Sequence, residues 1–156
     1  MKILTPSEAR EKIKRYCAYQ ERSHSEVRNR LYEYGLHRSD VDEMLSELIT
    51  DGFLNEERFA KAFAGGKFRM KKWGRIKITH ALEGKGVSPN CIRIGLKEID
   101  EASYVDALRG MLQAKLESLQ QDDLFVLRDR LSKYAIQKGY EPEFVWKEIN
   151  DIIPKK

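Results

Sequence analysis

Eleven residues, Lys67-Phe-Arg-Met-Lys-Lys-Trp-Gly-Arg-Ile-Lys77, hold six cationic side chains in a chain of 156 residues whose net charge is only +4. Lysine and arginine at that density can neutralise phosphates, and an aromatic ring among them, Trp73 or Phe68, offers a stacking surface for an unpaired base. The same cations suit an acidic protein surface, and spacing alone leaves both partners open. Lys67 with Lys71, and Lys61 with Phe68 and Lys72, stand at helical spacings. Trp73-Gly74 ends that helix while Arg75 and Lys77 open the next, so the cations gather around a helix-helix corner.

Other chemistries find no residue set. His24, His37 and His80 are dispersed, with no cysteine or carboxylate at zinc-ligand spacing, so no metal is expected. Ala64-Gly65-Gly66-Lys67 lacks the GxxxxGK[ST] pattern of a phosphate loop and follows no strand. No catalytic residues converge, so the chain is expected to be neither an enzyme nor a cofactor carrier. Cys17 and Cys91 each sit beside apolar positions at helical spacing and read as buried free thiols in preference to a disulfide or a nucleophile. Gly65-Gly66 costs about 1 kcal/mol per glycine inside a helix, which implies close helix packing or else a hinge.

The charge is segregated. Residues 61–86 carry eight Lys and Arg against Glu83 alone, a balance of +7, whereas residues 39–57 carry seven acidic groups and no base. Within the acidic block Asp40, Asp42, Glu43 and Glu47 could face a basic protein surface. With 41% hydrophobic and 35% charged residues the chain reads as soluble and helix-rich. Its longest apolar run, Leu124-Phe-Val-Leu127, is far short of a bilayer span, and the first residues lack a signal-peptide core, so a cytoplasmic protein without membrane contact is expected.

The elements that must position these groups emerge from an internal repeat. Leu31-Tyr-Glu-Tyr-Gly35-Leu, Leu82-Glu-Gly-Lys-Gly86-Val and Ala135-Ile-Gln-Lys-Gly139-Tyr align on a glycine, at spacings of 51 and 53 residues. Eight residues before each glycine stands Val27, Ile78 or Leu131; six after it stands Val41, Ile92 or Val145; ten after it stands Leu45, Leu96 or Ile149. A glycine following an apolar stripe terminates a helix, and Ser88-Pro89 and Glu141-Pro142 suit the first turn of the next. A third helix precedes each pair, with stripes Ala9, Ile13, Tyr16, Cys17; Phe59, Phe63, Met70; and Tyr104, Ala107, Leu108, Met111, Leu112. Ser23 with Glu26 forms a capping box, and Asn55 can cap the helix at Glu56. The expected fold is all-α: three tandem three-helix repeats, at 1–52, 53–100 (with the basic corner) and 101–156, forming an elongated, curved body. Tyr16, Phe59, Phe63, Phe144 and Trp146 are expected in the core.

Phe53-Leu-Asn-Glu-Glu-Arg-Phe-Ala60, then Lys72-Trp-Gly-Arg-Ile-Lys77, then Leu82-Glu-Gly-Lys-Gly86-Val resembles the signature of the bacterial RecX family. Tyr19-Gln-Glu-Arg-Ser-His-Ser-Glu-Val27 with Leu31 is similar to that family's first repeat. The likeness runs from about residue 16 to 100 and departs at Ala64-Gly65-Gly66, where larger residues would be expected. The resemblance implies a small helical modulator of the recombinase RecA. It would bind the RecA filament on single-stranded DNA as a monomer and inhibit filament growth, ATP hydrolysis and strand exchange. Carried onto this sequence, it implies a filament- or DNA-binding corner of Lys67, Arg69, Lys71, Lys72, Trp73, Arg75 and Lys77. An autonomous DNA-binding helical module is the alternative.

Overall fold

A computed structural model describes residues 3–153. Nine α-helices and no strand occur among them: α1 Pro6–Tyr19, α2 His24–Glu33, α3 Arg38–Thr50, α4 Glu56–Lys71, α5 Arg75–Gly84, α6 Pro89–Leu96, α7 Glu101–Ser118, α8 Leu124–Gln137 and α9 Pro142–Ile152. The all-α expectation is met.

Local chemistry explains where the helices begin. Thr5 and Glu8 make a reciprocal capping box ahead of α1, and Ser23 and Glu26 make a second ahead of α2, each satisfying two otherwise unpaired N–H groups. Asn55 Oδ1 accepts the Arg58 N–H at 2.8 Å at the start of α4.

The three aligned glycines end their helices by one geometry. Gly35, Gly86 and Gly139 have φ of 87°, 77° and 100°. Each donates its N–H to the carbonyl three residues back, while the next residue, Leu36, Val87 or Tyr140, donates five residues back to Leu31, Leu82 or Ala135. This paired closure is the Schellman motif, in which the residue after the glycine also packs on the last helical turn. Both members of all three pairs are buried.

The chain divides into two compact units, residues 1–63 with 82–95 and residues 64–81 with 96–156. In the first, Ala9, Ile13 and Cys17 of α1, Val27 and Leu31 of α2, and Val41, Met44, Leu45 and Leu48 of α3 form one core closed by Leu54. Gly95 lies so close to α4 that a Cβ there would stand 2.7 Å from the Ala60 carbonyl oxygen. In the second unit α7, α8 and α9 pack together. Tyr104, Leu108 and Leu112 of α7 are buried with Leu131 and Ala135 of α8 and Val145 and Ile149 of α9.

Two expectations are corrected. Met70 is 83% exposed, because the buried face of α4 turns along its length, from Phe59 and Ala60 in its first half to Ala64 in its second. Trp146 is 40% exposed. The helix runs unbroken through Gly65-Gly66, where Gly65 is buried and Gly66 half-buried. A Cβ on Gly65 would meet the guanidinium of Arg69, 2.8 Å away on the same helix, and one on Gly66 would meet nothing within 4 Å.

Candidate functional site

The basic stretch folds as the end of α4, a tight turn and the start of α5, and the second unit holds that turn by its backbone. Lys72 ends α4 in the left-handed region, φ 58°, which only a few non-glycine residues adopt. Trp73 N–H then donates to the Lys67 carbonyl at 3.3 Å.

The next residues meet the corner between α8 and α9. Gly74 N–H donates to the Lys138 carbonyl at 2.8 Å and Ile76 N–H to the Gly139 carbonyl at 2.9 Å. Arg75 N–H donates to Tyr104 Oη at 2.9 Å, and Tyr140 Oη donates to the Lys72 carbonyl at 3.0 Å. A helix start leaves backbone donors unpaired, and α5 has no Ser, Thr, Asp or Asn cap to take them. Here the tertiary structure takes those of Gly74, Arg75 and Ile76, so they are not available to a phosphate. The approach is close enough to exclude side chains: a Cβ on Gly74 would lie 2.2 Å from the Gly139 carbonyl carbon, and one on Gly139 would lie 2.4 Å from Lys77 Cβ.

Arg75 is bound into the same arrangement. Its guanidinium lies 4.0 Å from the Tyr104 ring centroid and donates to Glu141 Oε2 at 3.0 Å, with Glu101 Oε1 at 3.9 Å. Tyr104 is fully buried and donates its hydroxyl to the other oxygen of Glu141. Burial first, and then the bond to Glu141, push the Tyr104 phenol far above its ordinary range, so it stays a protonated donor. The ring also stacks on Tyr140 at 4.9 Å and on Phe68 at 5.8 Å. Gly74-Arg75 is thus a packing element: glycine because a backbone touches it, arginine because a carboxylate and a buried ring face it.

The remaining cations sit around this scaffold. Trp73 is half-buried, with Lys67 Nζ 5.0 Å and Lys77 Nζ 4.7 Å from its ring centroid. Arg69, Lys71 and Lys72 are exposed. The residues that hold the corner, Tyr104, Gly139, Tyr140 and Glu141, lie far along the chain and were not singled out from sequence as site residues. The repeat glycine, the apolar stripe containing Tyr104 and the helix start at Glu141-Pro142 marked their neighbourhood as structure only.

On the first unit, α3 carries the acidic residues. Asp42 pairs with Arg28 at 2.9 Å and with Arg38 at 4.0 Å, and Glu47 pairs with Arg10 at 3.1 Å. Asp40 is half-buried and Glu43 exposed. Among the described residues no group of three His, Cys, Asp or Glu could hold a metal ion, and no helix is long and apolar enough to cross a membrane. Cys17 is a buried free thiol, and burial pushes it up to about 11; Cys91 is free and half-buried.

Comparison with known proteins places the corner in a family. Residues 55–96 match the model described as "RecX, second three-helix domain". In sequence and in fold the chain is similar to regulatory protein RecX. Regulatory protein RecX of Bacillus cereus is 22% identical over 130 residues, covering 83% of this chain and 48% of the relative. That of Clostridium perfringens is 28% identical over 122 residues, covering 77% and 57%. The chain therefore spans about half the length of the curated RecX relatives it matches. The crystal structure of RecX from Lactobacillus salivarius superimposes with a TM-score of 0.85 at 18% identity, over 94% of this chain and 96% of that one, and shares the fold.

Proposed function

We propose that this chain is a non-enzymatic regulator of homologous recombination. It binds the RecA filament on single-stranded DNA and inhibits filament growth, ATP hydrolysis and strand exchange. The reading is carried by one observation: the stretch matching the RecX second three-helix domain is also where the chain gathers its cations, on a turn held rigid by Gly74 and Arg75. A fixed turn presents charge without first being ordered, which lowers the entropic cost of association. Lys67, Arg69, Lys71, Lys72 and Lys77 provide the electrostatic contacts and Trp73 an aromatic anchor, whereas Arg75 positions the turn through Glu141. The acidic residues of α3, Asp40 and Glu43 foremost, meet a basic surface of the filament. The three glycine corners belong to three tandem three-helix repeats, at 1–52, 53–100 and 101–156. The protein works as a cytoplasmic monomer.

The test is steady-state ATP hydrolysis by RecA on single-stranded DNA as the protein is added. Inhibition at far less than one molecule per recombinase protomer is expected, and Lys71→Glu with Lys72→Glu should raise the amount required. Inhibition only at amounts that cover the DNA would refute a specific action on the filament and favour the autonomous DNA-binding module.

A further inference from the structure

The second unit has an open concavity of about 350 Å³ between the end of α4, α7 and α8. Lys71 enters it from the end of α4 and Lys72 from the residue after it, Gly110 and Lys115 from α7, and Tyr134 and Lys138 from α8 and its cap. Lys115 and Lys138 lie far from the basic stretch in sequence, so its charge count missed them. Lys115 Nζ stands 4.9 Å and Lys138 Nζ 5.9 Å from the Tyr134 ring centroid, and the ring's electron-rich face draws both ammoniums to one place. Among the described residues no carboxylate lines the concavity, and none of its four lysines is ion-paired. Four like charges so gathered repel one another, and a bound anion relieves that repulsion.

Gly110 supports the same conclusion from another direction. It sits in the interior of α7, where glycine costs about 1 kcal/mol relative to alanine. A Cβ there would meet nothing within 4 Å, and its φ lies outside the left-handed region. Neither internal packing nor backbone geometry requires a glycine, but its small size keeps the concavity open to an incoming backbone.

The chemistry of the cations indicates the ligand. All four are lysines, compact point charges with three rotatable donors each, which can follow the phosphate oxygens of a backbone without the fixed bidentate geometry that arginine requires. Tyr134 already faces two ammoniums, which leaves it holding the cations in place of stacking a base. We infer that this concavity grips the phosphodiester backbone of single-stranded DNA, with Lys71, Lys72, Lys115 and Lys138 each neutralising a phosphate. The choice of DNA as the strand rests on the proposed action at the RecA filament; the contacts themselves are to phosphate and are independent of sequence.

The full chain, without recombinase, is titrated into fluorescein-labelled oligo-dT and oligo-rU, and anisotropy is followed across a sodium chloride series. Four phosphate contacts give a slope of log affinity on log salt of about −2.8 on a single strand. Lys115→Ala with Lys138→Ala should lower it to about −1.4 and weaken binding about 25-fold at about 0.1 M salt. Lys12→Ala with Lys97→Ala removes equal charge elsewhere and should change little. Gly110→Gln should obstruct the concavity and weaken binding while the thermal midpoint holds or rises. Equal losses in the two double variants, parental binding by the groove variants, or no binding by the parent would each overturn the site. Preference for oligo-rU would overturn the choice of DNA. RecA inhibition measured separately distinguishes the readings: if it persists while the groove fails, the regulator stands without this site. If it is absent while the groove holds, the strand site stands alone.

Discussion

Gly74→Ala tests whether backbone contact holds the basic turn. The added methyl would lie 2.2 Å from the Gly139 carbonyl carbon and 2.3 Å from the Tyr140 nitrogen, where ordinary contact lies at 3.4–4 Å, so the two backbones must part by more than an ångström. That separation breaks the bonds from Gly74 to Lys138 and from Ile76 to Gly139, and pulls Arg75 N–H away from Tyr104 Oη. Three such bonds at about 1 kcal/mol each set a cost of about 3 kcal/mol. Looser packing around Tyr104 and Tyr140 raises it by about 1 kcal/mol. At this chain length that lowers the thermal midpoint by about 10 °C. Gly66→Ala is the matched control: it places a methyl in open space inside a helix and should stabilise by about 1 kcal/mol. Circular dichroism and guanidinium titrations of both variants decide the matter. Stability of Gly74→Ala within about 1 kcal/mol of the parent would refute the argument, since three buried bonds could not then have been lost.

Tyr104→Phe should cost about 2–3 kcal/mol, because Arg75 N–H and Glu141 both lose a partner within the fold; denaturant titration reads it, and a near-neutral variant would show that water replaces the hydroxyl. Arg75→Glu sets a second carboxylate against Glu141 and should lower stability, whereas Lys71→Glu with Lys72→Glu, on exposed residues, should lower binding with the thermal midpoint little changed. Alkali should destabilise the fold: burial raises Cys17 from 9.0 to about 11 and Tyr140 from 10.0 to about 12. Above pH about 9 the unfolded chain therefore releases protons that the folded chain retains, and stability falls as pH climbs through both folded values. Guanidinium midpoints at rising pH should decline across that window, less steeply in Cys17→Ala. Lys72→Gly should stabilise by about 0.5 kcal/mol in guanidinium titrations, the relief of a positive φ exceeding the freedom the glycine gains in the unfolded chain, and a loss of stability would refute strain at this position.

What could be read from the sequence was local. Gly35, Gly86 and Gly139, with apolar residues eight before and six after, determine three helix ends, because an isolated left-handed residue and a helical stripe are properties of a few consecutive positions. The capping box at Ser23 and the cap at Asn55 are local for the same reason, as is the density of cations between Lys67 and Lys77. The tertiary structure decided what those cations and their neighbours do. Trp73-Gly74-Arg75 has the composition of a binding motif, but Gly139, Tyr104 and Glu141 turn its glycine and arginine into packing. Met70 continues the stripe of Phe59 and Phe63 by period, yet it is exposed because each half of α4 serves a different core. Lys115 and Lys138 carry no signal along the chain; they join Lys71 and Lys72 only because α7 and α8 pack beside the end of α4. Periodicity reports which face of a helix is buried, whereas a contact between residues tens of positions apart exists only once the helices have packed.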